Sequence, residues 1–313
     1  MTITPHNLQN ESPTDELAML LVGDYKSGKS RLAGTAPGNI LFLETDLRLA
    51  ALRTHPNVKN IYGLEFADNL NDPKKPPTAF NEELDILNKL EKSPYLRDIH
   101  KTFESCGDKL VDTIVFDSVQ TMSDNARRYV MYNAPDVAKT FSMGVKTYRV
   151  AASFHAWGGE MEMVTGAILQ ARALLHCKKC LKSVTYKRDA SGMDMLFHTD
   201  SSLDNPEIAG SHAPAPRAMN VIVILHECME QDERSTLDNP MYTGKIEVYP
   251  RRYNVLLKYF NEVWRLSRES GGAPKIAVDP DGKFVQAASA FGVKVTVPDI
   301  SQVLRDARSL QKK

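Results

Sequence analysis

Residues 23–30 read GDYKSGKS and follow directly on the apolar run LAMLLV at 17–22. Gly23, Gly28, Lys29 and Ser30 satisfy the spacing G-x-x-x-x-G-K-S of a phosphate-cradling loop. This pattern constrains the fold more than any other feature, because such a loop works only between a strand and a helix. Its glycines let the backbone of Gly23, Asp24, Tyr25, Lys26, Ser27 and Gly28 wrap closely enough for successive N–H groups to face phosphate oxygens. The following helix adds its N-terminal partial positive charge. Lys29 is placed to neutralise the β- and γ-phosphates, Ser30 to hold Mg²⁺, and Arg31 completes the nucleotide-binding candidates. Lys26 puts a second positive charge beside Tyr25. It leans on the phosphates, on a neighbouring subunit or, as expected, into solvent.

The rest of the chain supplies a setting for this loop. A lead-in at 1–15, polar and without an apolar signal core, is expected to be disordered. Buried strands are predicted at 17–22, 37–46 (PGNILFLETD), 58–66, 112–119 (DTIVFDSV), 219–227 and 258–267. Their apolar runs lack strict alternation, as suits strands covered on both faces of a parallel sheet. Residues 81–92 read as an amphipathic helix, and a mostly helical stretch is expected from 119 to about 176. Strands alternating with helices predict an α/β fold, a mainly parallel twisted sheet covered by helices. The core is expected over 16–267, with an insertion at about 176–218. A hairpin at 275–289, turning at Asp281-Gly282, and a short final helix form an appendage over 268–313.

Three further positions are candidates because they end apolar strands, where parallel-sheet sites collect. Asp117 ends TIVFD and is the Mg²⁺ carboxylate to partner Ser30, or else an N-cap for the next helix. Glu44 and Asp46 end the strand after the loop's helix, and one of them positions the attacking water. If the strand continues, both point the same way. His226 follows VIVIL and is placed to sense the γ-phosphate, or else is structural.

Taken in order, the octet, NILFLETD, DTIVFDSVQTM, NVIVILHECMEQDE and LLKYFNEVWRL resemble the RecA-like P-loop ATPase core of the AAA/RecA superfamily. The resemblance covers roughly 17–267 and is closest to phage-type single-strand-annealing and recombination ATPases. It implies ATP and Mg²⁺ as cofactors, hydrolysis of ATP, and single-stranded DNA as a partner. It further implies a homo-oligomeric ring or filament, with a single-strand DNA-binding protein as a possible additional partner. By the same resemblance, loops at about 122–160 and 228–252 face DNA. The first contains Arg127, Arg128, Lys146 and Arg149 with Tyr129, Tyr132 and Phe141. The second contains Lys245, Arg251 and Arg252 with Tyr242, Tyr249 and Tyr253. Basic side chains with interleaved aromatics suit phosphate contact and base stacking.

Bulk composition limits this reading. The 313 residues carry 39 basic and 39 acidic side chains, so any nucleic-acid binding rests on local patches or on many subunits. One such patch runs from Val164 to Arg188, where Arg172, Lys178, Lys179, Lys182, Lys187 and Arg188 occur without an acid. Within it, Cys177 and Cys180, with His176 and either His198 or His212, are a candidate Zn²⁺ set. A closed zinc site shows two clean pairs and this segment shows one, so reduced thiols are the expectation. Four cysteines and no long apolar run predict a cytoplasmic protein (in the bacterial host if phage-encoded) with no membrane segment. The competing functions are a nucleotide-switched helicase loader or regulatory ATPase and, with no lid signature to favour it, a small-molecule phosphotransferase.

Overall fold

The computed structural model describes residues 17–68, 75–134, 138–143, 146–151, 154–176, 184–188, 194–198, 217–231, 242–246, 257–268, 275–278, 288–289 and 298–310. In chain order the principal elements are β1 (Ala18–Gly23), α1 (Lys29–Ala33), β2 (Ile40–Glu44), β3 (Ile61–Glu65), α2 (Ala79–Lys92), α3 (Leu96–Ile99), β4 (Thr113–Asp117) and α4 (Val119–Asn133). They continue as β5 (Ala138–Met143), β6 (Lys146–Ala151), α5 (Phe154–Ala173), β7 (Leu175–His176), β8 (Val184–Arg188), β9 (Asp194–His198), β10 (Arg217–Ala218), β11 (Asn220–Gln231) and β12 (Tyr242–Ile246). The chain ends with β13 (Glu262–Ser267), β14 (Lys275–Ala277), β15 (Ala288–Ser289) and α6 (Ile300–Leu310).

The main sheet runs β14-β13-β1-β11-β4-β2-β3, and the strands from β13 to β3 are all parallel. The apolar runs noted in the sequence are two-sided, as that arrangement demands. Leu20, Val22, Leu41, Leu43, Ile114, Phe116, Val221, Val223 and Leu225 pack on one face beneath α2, α4 and α5. Met19, Leu21, Phe42, Val115, Ile222, Ile224, Trp264 and Leu266 pack on the other with α1 and α6. The α/β architecture is therefore the expected one: a mainly parallel sheet between two helical layers.

Two details differ from expectation. The stretch after α4 is not continuously helical, because β5 and β6 form an antiparallel hairpin before α5. Its β-branched and aromatic residues outweigh helix propensity there. The turn expected at Asp281-Gly282 and the run after it to 287 lie outside the described residues; on either side of them β14 and β15 both lie antiparallel on β13. Arg127 and Arg128 sit within α4 rather than in a loop. Arg127 pairs with Asp124 and, at 3.4 Å, Glu160; Arg128 donates to Asn125 at 3.0 Å and lies 3.9 Å from Asp68. The segment from 177 to 216 leaves and returns at one place, where β7 pairs with β10. No helix among the described residues is long and apolar enough to cross a membrane.

One core residue breaks the pattern. Glu83 is buried on the inner face of α2, and neither carboxyl oxygen has a hydrogen-bond partner among the described residues. Burial pushes it from an ordinary value of 4.5 to about 8. The folded protein thus keeps a proton that the unfolded chain releases, so stability falls as pH rises from 4.5 towards 8. Glu83→Met should raise Tm, with a gain that is small at pH 5 and grows towards pH 8. Thermal melts across that range test this, and a gain independent of pH would contradict it.

Candidate nucleotide and metal site

The parallel register brings five strands together at one edge of the sheet. Gly23 of β1 is level with His226 of β11 and Leu266 of β13, and Glu44 of β2 is level with Asp117 of β4. Because β11 lies between β1 and β4, His226 is inserted between the octet and Asp117. All the strand-end candidates therefore meet at one edge.

The octet is shaped by its glycines. A Cβ on Gly23 would lie 2.0 Å from the Leu266 carbonyl oxygen, so β13 leaves room only for glycine. Gly28 has φ 99°, in the left-handed region, and immediately precedes α1. Asp24, Tyr25 and Lys26 are exposed, and Lys26 adopts φ 63°. Ser27 is buried, and its hydroxyl has no partner among the described residues. Arg31 is exposed on the outer side of α1. Lys29 is buried and donates to the carbonyls of Gly23 and Asp24, both at 2.7 Å. Burial lowers its pKa to about 8, partly offset by Asp117 and Asp24. Its ammonium is thus held at the mouth of the loop on two neutral acceptors, which are weaker than phosphate oxygens.

Ser30 donates to Asp117 at 2.5 Å. Burial holds the Asp117 carboxyl above its ordinary range despite that hydrogen bond, and the neighbouring Asp46 acts in the same sense. A cation here would offset both effects. A hydroxyl and a carboxylate are hard oxygen donors of the kind Mg²⁺ takes, so the residues present fit that ion. No group of three or more His, Cys, Asp or Glu suited to a metal occurs among the described residues. Of the zinc candidates, Cys177, Cys180 and His212 lie outside the described residues, and only the backbone is described at His176 and His198.

Glu44 and Asp46 do not act alike. β2 stops at Glu44, so the two side chains are not successive members of one strand face. Glu44 folds over the following turn and accepts the backbone N–H of Asp46 at 2.8 Å and of Arg48 at 2.5 Å. Burial, then the nearby Asp117, raises it to about 7. For Asp46 burial also acts upward, but hydrogen bonds from His226, Thr121 and Ser118 outweigh it and hold the carboxyl at about 2. Ser118 lies at 3.1 Å and His226 Nε2 at 3.2 Å. Thr45, between the two acids, bonds the Asp117 carbonyl through its N–H at 2.8 Å and so fastens the end of β2 to that of β4.

Sequence reasoning missed several contributors. Tyr25 stacks on His226, with ring centroids 4.0 Å apart and an interplanar angle of 19°, and the Arg48 guanidinium lies over the Tyr25 ring, 5.6 Å from its centroid. Gln120 donates to the His226 carbonyl at 3.1 Å. Ser118, Gln120 and Thr121 follow Asp117 directly, so their place after a strand-end acid was the available signal. The Tyr25 contact spans the chain and leaves no local trace. Of the second set of DNA-facing candidates, Tyr249, Arg251, Arg252 and Tyr253 lie outside the described residues, and of Tyr242 and Lys245 only the backbone is described.

This geometry separates the two acids experimentally. Asp46→Asn should cut turnover on the order of 10²-fold or more while leaving nucleotide binding largely intact. Glu44→Gln keeps one acceptor for two N–H groups and should chiefly lower stability. Single-turnover hydrolysis with parallel nucleotide titration checks both, and equal losses in binding and turnover for Asp46→Asn would contradict the assignment.

Residues 15–170 match the family described as AAA domain, a span that includes the octet, Glu44, Asp46 and Asp117. No curated protein matches the chain significantly. The matched region thus has an AAA/P-loop NTPase-type fold, a class that binds nucleotides and generally hydrolyses them.

Proposed function

We propose that the chain is a Mg²⁺-dependent ATPase whose nucleotide state controls binding of single-stranded DNA, in phage-type recombination or strand annealing. It acts as a homo-oligomeric ring or filament in the cytoplasm. The octet binds the phosphates, and Ser30 and Asp117 hold Mg²⁺, which when bound neutralises charge on the phosphoryl oxygens. Asp46, ionised and hydrogen-bonded to His226, orients the attacking water. Glu44 holds the turn that carries Asp46. His226 reads the occupancy of the site through Asp46 and through its stack on Tyr25.

The observation that carries this reading is the length of β11. The strand does not stop at His226 but runs five residues further, paired with β12 from Glu227↔Ile246 to Gln231↔Tyr242. At roughly 3.3 Å per residue this hairpin extends about 16 Å past the last β1 pairing. A sensor in the site is thus one residue from an element that leaves it. Tyr242 and Lys245 belong to β12, and the β5–β6 hairpin after α4 contains Lys139, Phe141, Lys146, Tyr148 and Arg149. Such composition suits a chain that is neutral overall yet meets a nucleic-acid backbone at local points.

Single-stranded DNA should stimulate ATP hydrolysis, with a stimulation that declines as salt increases. Lys29→Ala should abolish turnover with the fold retained, as judged by circular dichroism. Hydrolysis indifferent to DNA across the salt series would overturn the DNA reading. Phosphate transfer to a nucleoside or metabolite would replace it with a phosphotransferase.

A further inference from the structure

Past His226 the β11–β12 hairpin loses its neighbours in the sheet. Pairing of β11 with β4 ends at Val223↔Phe116 and with β1 at Gly23↔His226. At that point two ties act on successive residues. Gln120 holds the His226 carbonyl. Glu227 accepts from Arg265 of β13 in a two-pronged contact, at 2.9 Å from Nε and 2.7 Å from Nη2, with the carboxylate buried and the guanidinium nearly so.

The contact spans β1. Arg265 is level with Val22, and Glu227 lies one residue beyond the level of Gly23, so the bridge reaches from β11 to β13 across the end of the strand that enters the octet. His226 continues the Ile222–Ile224 series on the α1 face, whereas Glu227 continues the Val221–Val223–Leu225 series on the opposite face. The pair therefore stands on the face of the sheet opposite Asp46 and Asp117, with the Glu227 carboxylate close enough to act on the Lys29 ammonium. A buried ion pair adds little stability over an apolar pair of similar volume, and its distinct effect is to fix geometry.

We propose that Glu227 and Arg265 are a coupling pair: they anchor the root of the β11–β12 hairpin to the strand beside the phosphate loop, so that a displacement of His226 is delivered to the hairpin. The pair positions and does not touch substrate. The inference rests on the proposed sensor role of His226 but not on DNA being what the hairpin meets.

Hydrogen exchange of the full-length protein, followed by mass spectrometry with and without a non-hydrolysable ATP analogue and Mg²⁺, tests it. In the wild type the analogue should change exchange of peptides covering 227–246. Glu227→Gln and the doubly apolar Glu227→Met/Arg265→Leu should lose that change while keeping basal kcat and ATP KM within about twofold, a difference of ~0.4 kcal/mol. The apolar double variant guards against a mere folding defect, because it leaves no buried charge unpaired. A wild-type hairpin indifferent to nucleotide, or variants that retain the change, would overturn the proposal. Should DNA fail to stimulate hydrolysis while the exchange change still depends on the pair, the coupling stands and the DNA reading falls.

Discussion

The site depends on the Asp46 carboxylate, where three separately folded segments meet. It lies in the turn after β2, accepts hydrogen bonds from the Ser118 and Thr121 hydroxyls at the start of α4, and lies 3.2 Å from His226 on β11. Hydrogen bonds to an ionised group contribute on the order of 1.5–3 kcal/mol each, enough to overcome the burial that would otherwise neutralise the acid. That balance explains why Asp46 is held at about 2 while Glu44, two positions earlier, rises to about 7. Glu44 receives two backbone N–H groups but stands close to Asp117 in a dry setting. Neighbouring acids of one turn are thereby driven to opposite sides of the ordinary carboxylate range.

The sheet makes this meeting possible. In a parallel arrangement every crossover returns the chain to the same edge, so strand ends distant in sequence share one side. Placing β11 between β1 and β4 puts His226 between the octet and Asp117. His226 therefore touches Tyr25 from the loop and Asp46 from the turn after β2 at once. A nucleotide bound as proposed would have two short routes to it.

Much of this was legible in the sequence because it is local or periodic. The octet, the two-sided apolar runs and the acids at strand ends each have a signature within a few residues. Strand identity along 17–22, 113–117 and 220–227 follows from apolar runs too short for helices. What was hidden is relational. Nothing near Glu44 indicates that its side chain turns back on the N–H groups of Asp46 and Arg48, since that follows from where β2 stops. Nothing near Arg265 names Glu227 as its partner, because the pairing exists only once β1 separates β11 from β13. The β5–β6 hairpin was hidden for another reason: its six-residue strands lie between two strong helices whose propensity dominates any longer window.

The Glu227–Arg265 bridge also bears on register, which is the weakest point of a strand that outlives its neighbours. Side chains of a strand alternate faces, so a slip of one residue would turn His226 and Glu227 each to the opposite face. A slip that brings Glu227 level with Gly23 would turn it towards Asp46 and Asp117 and take it away from Arg265. Like charges gathered at the metal edge and an unpaired guanidinium behind the sheet would both oppose that state. The ion pair therefore matters less for how firmly β11 is held than for which face of the sheet His226 takes.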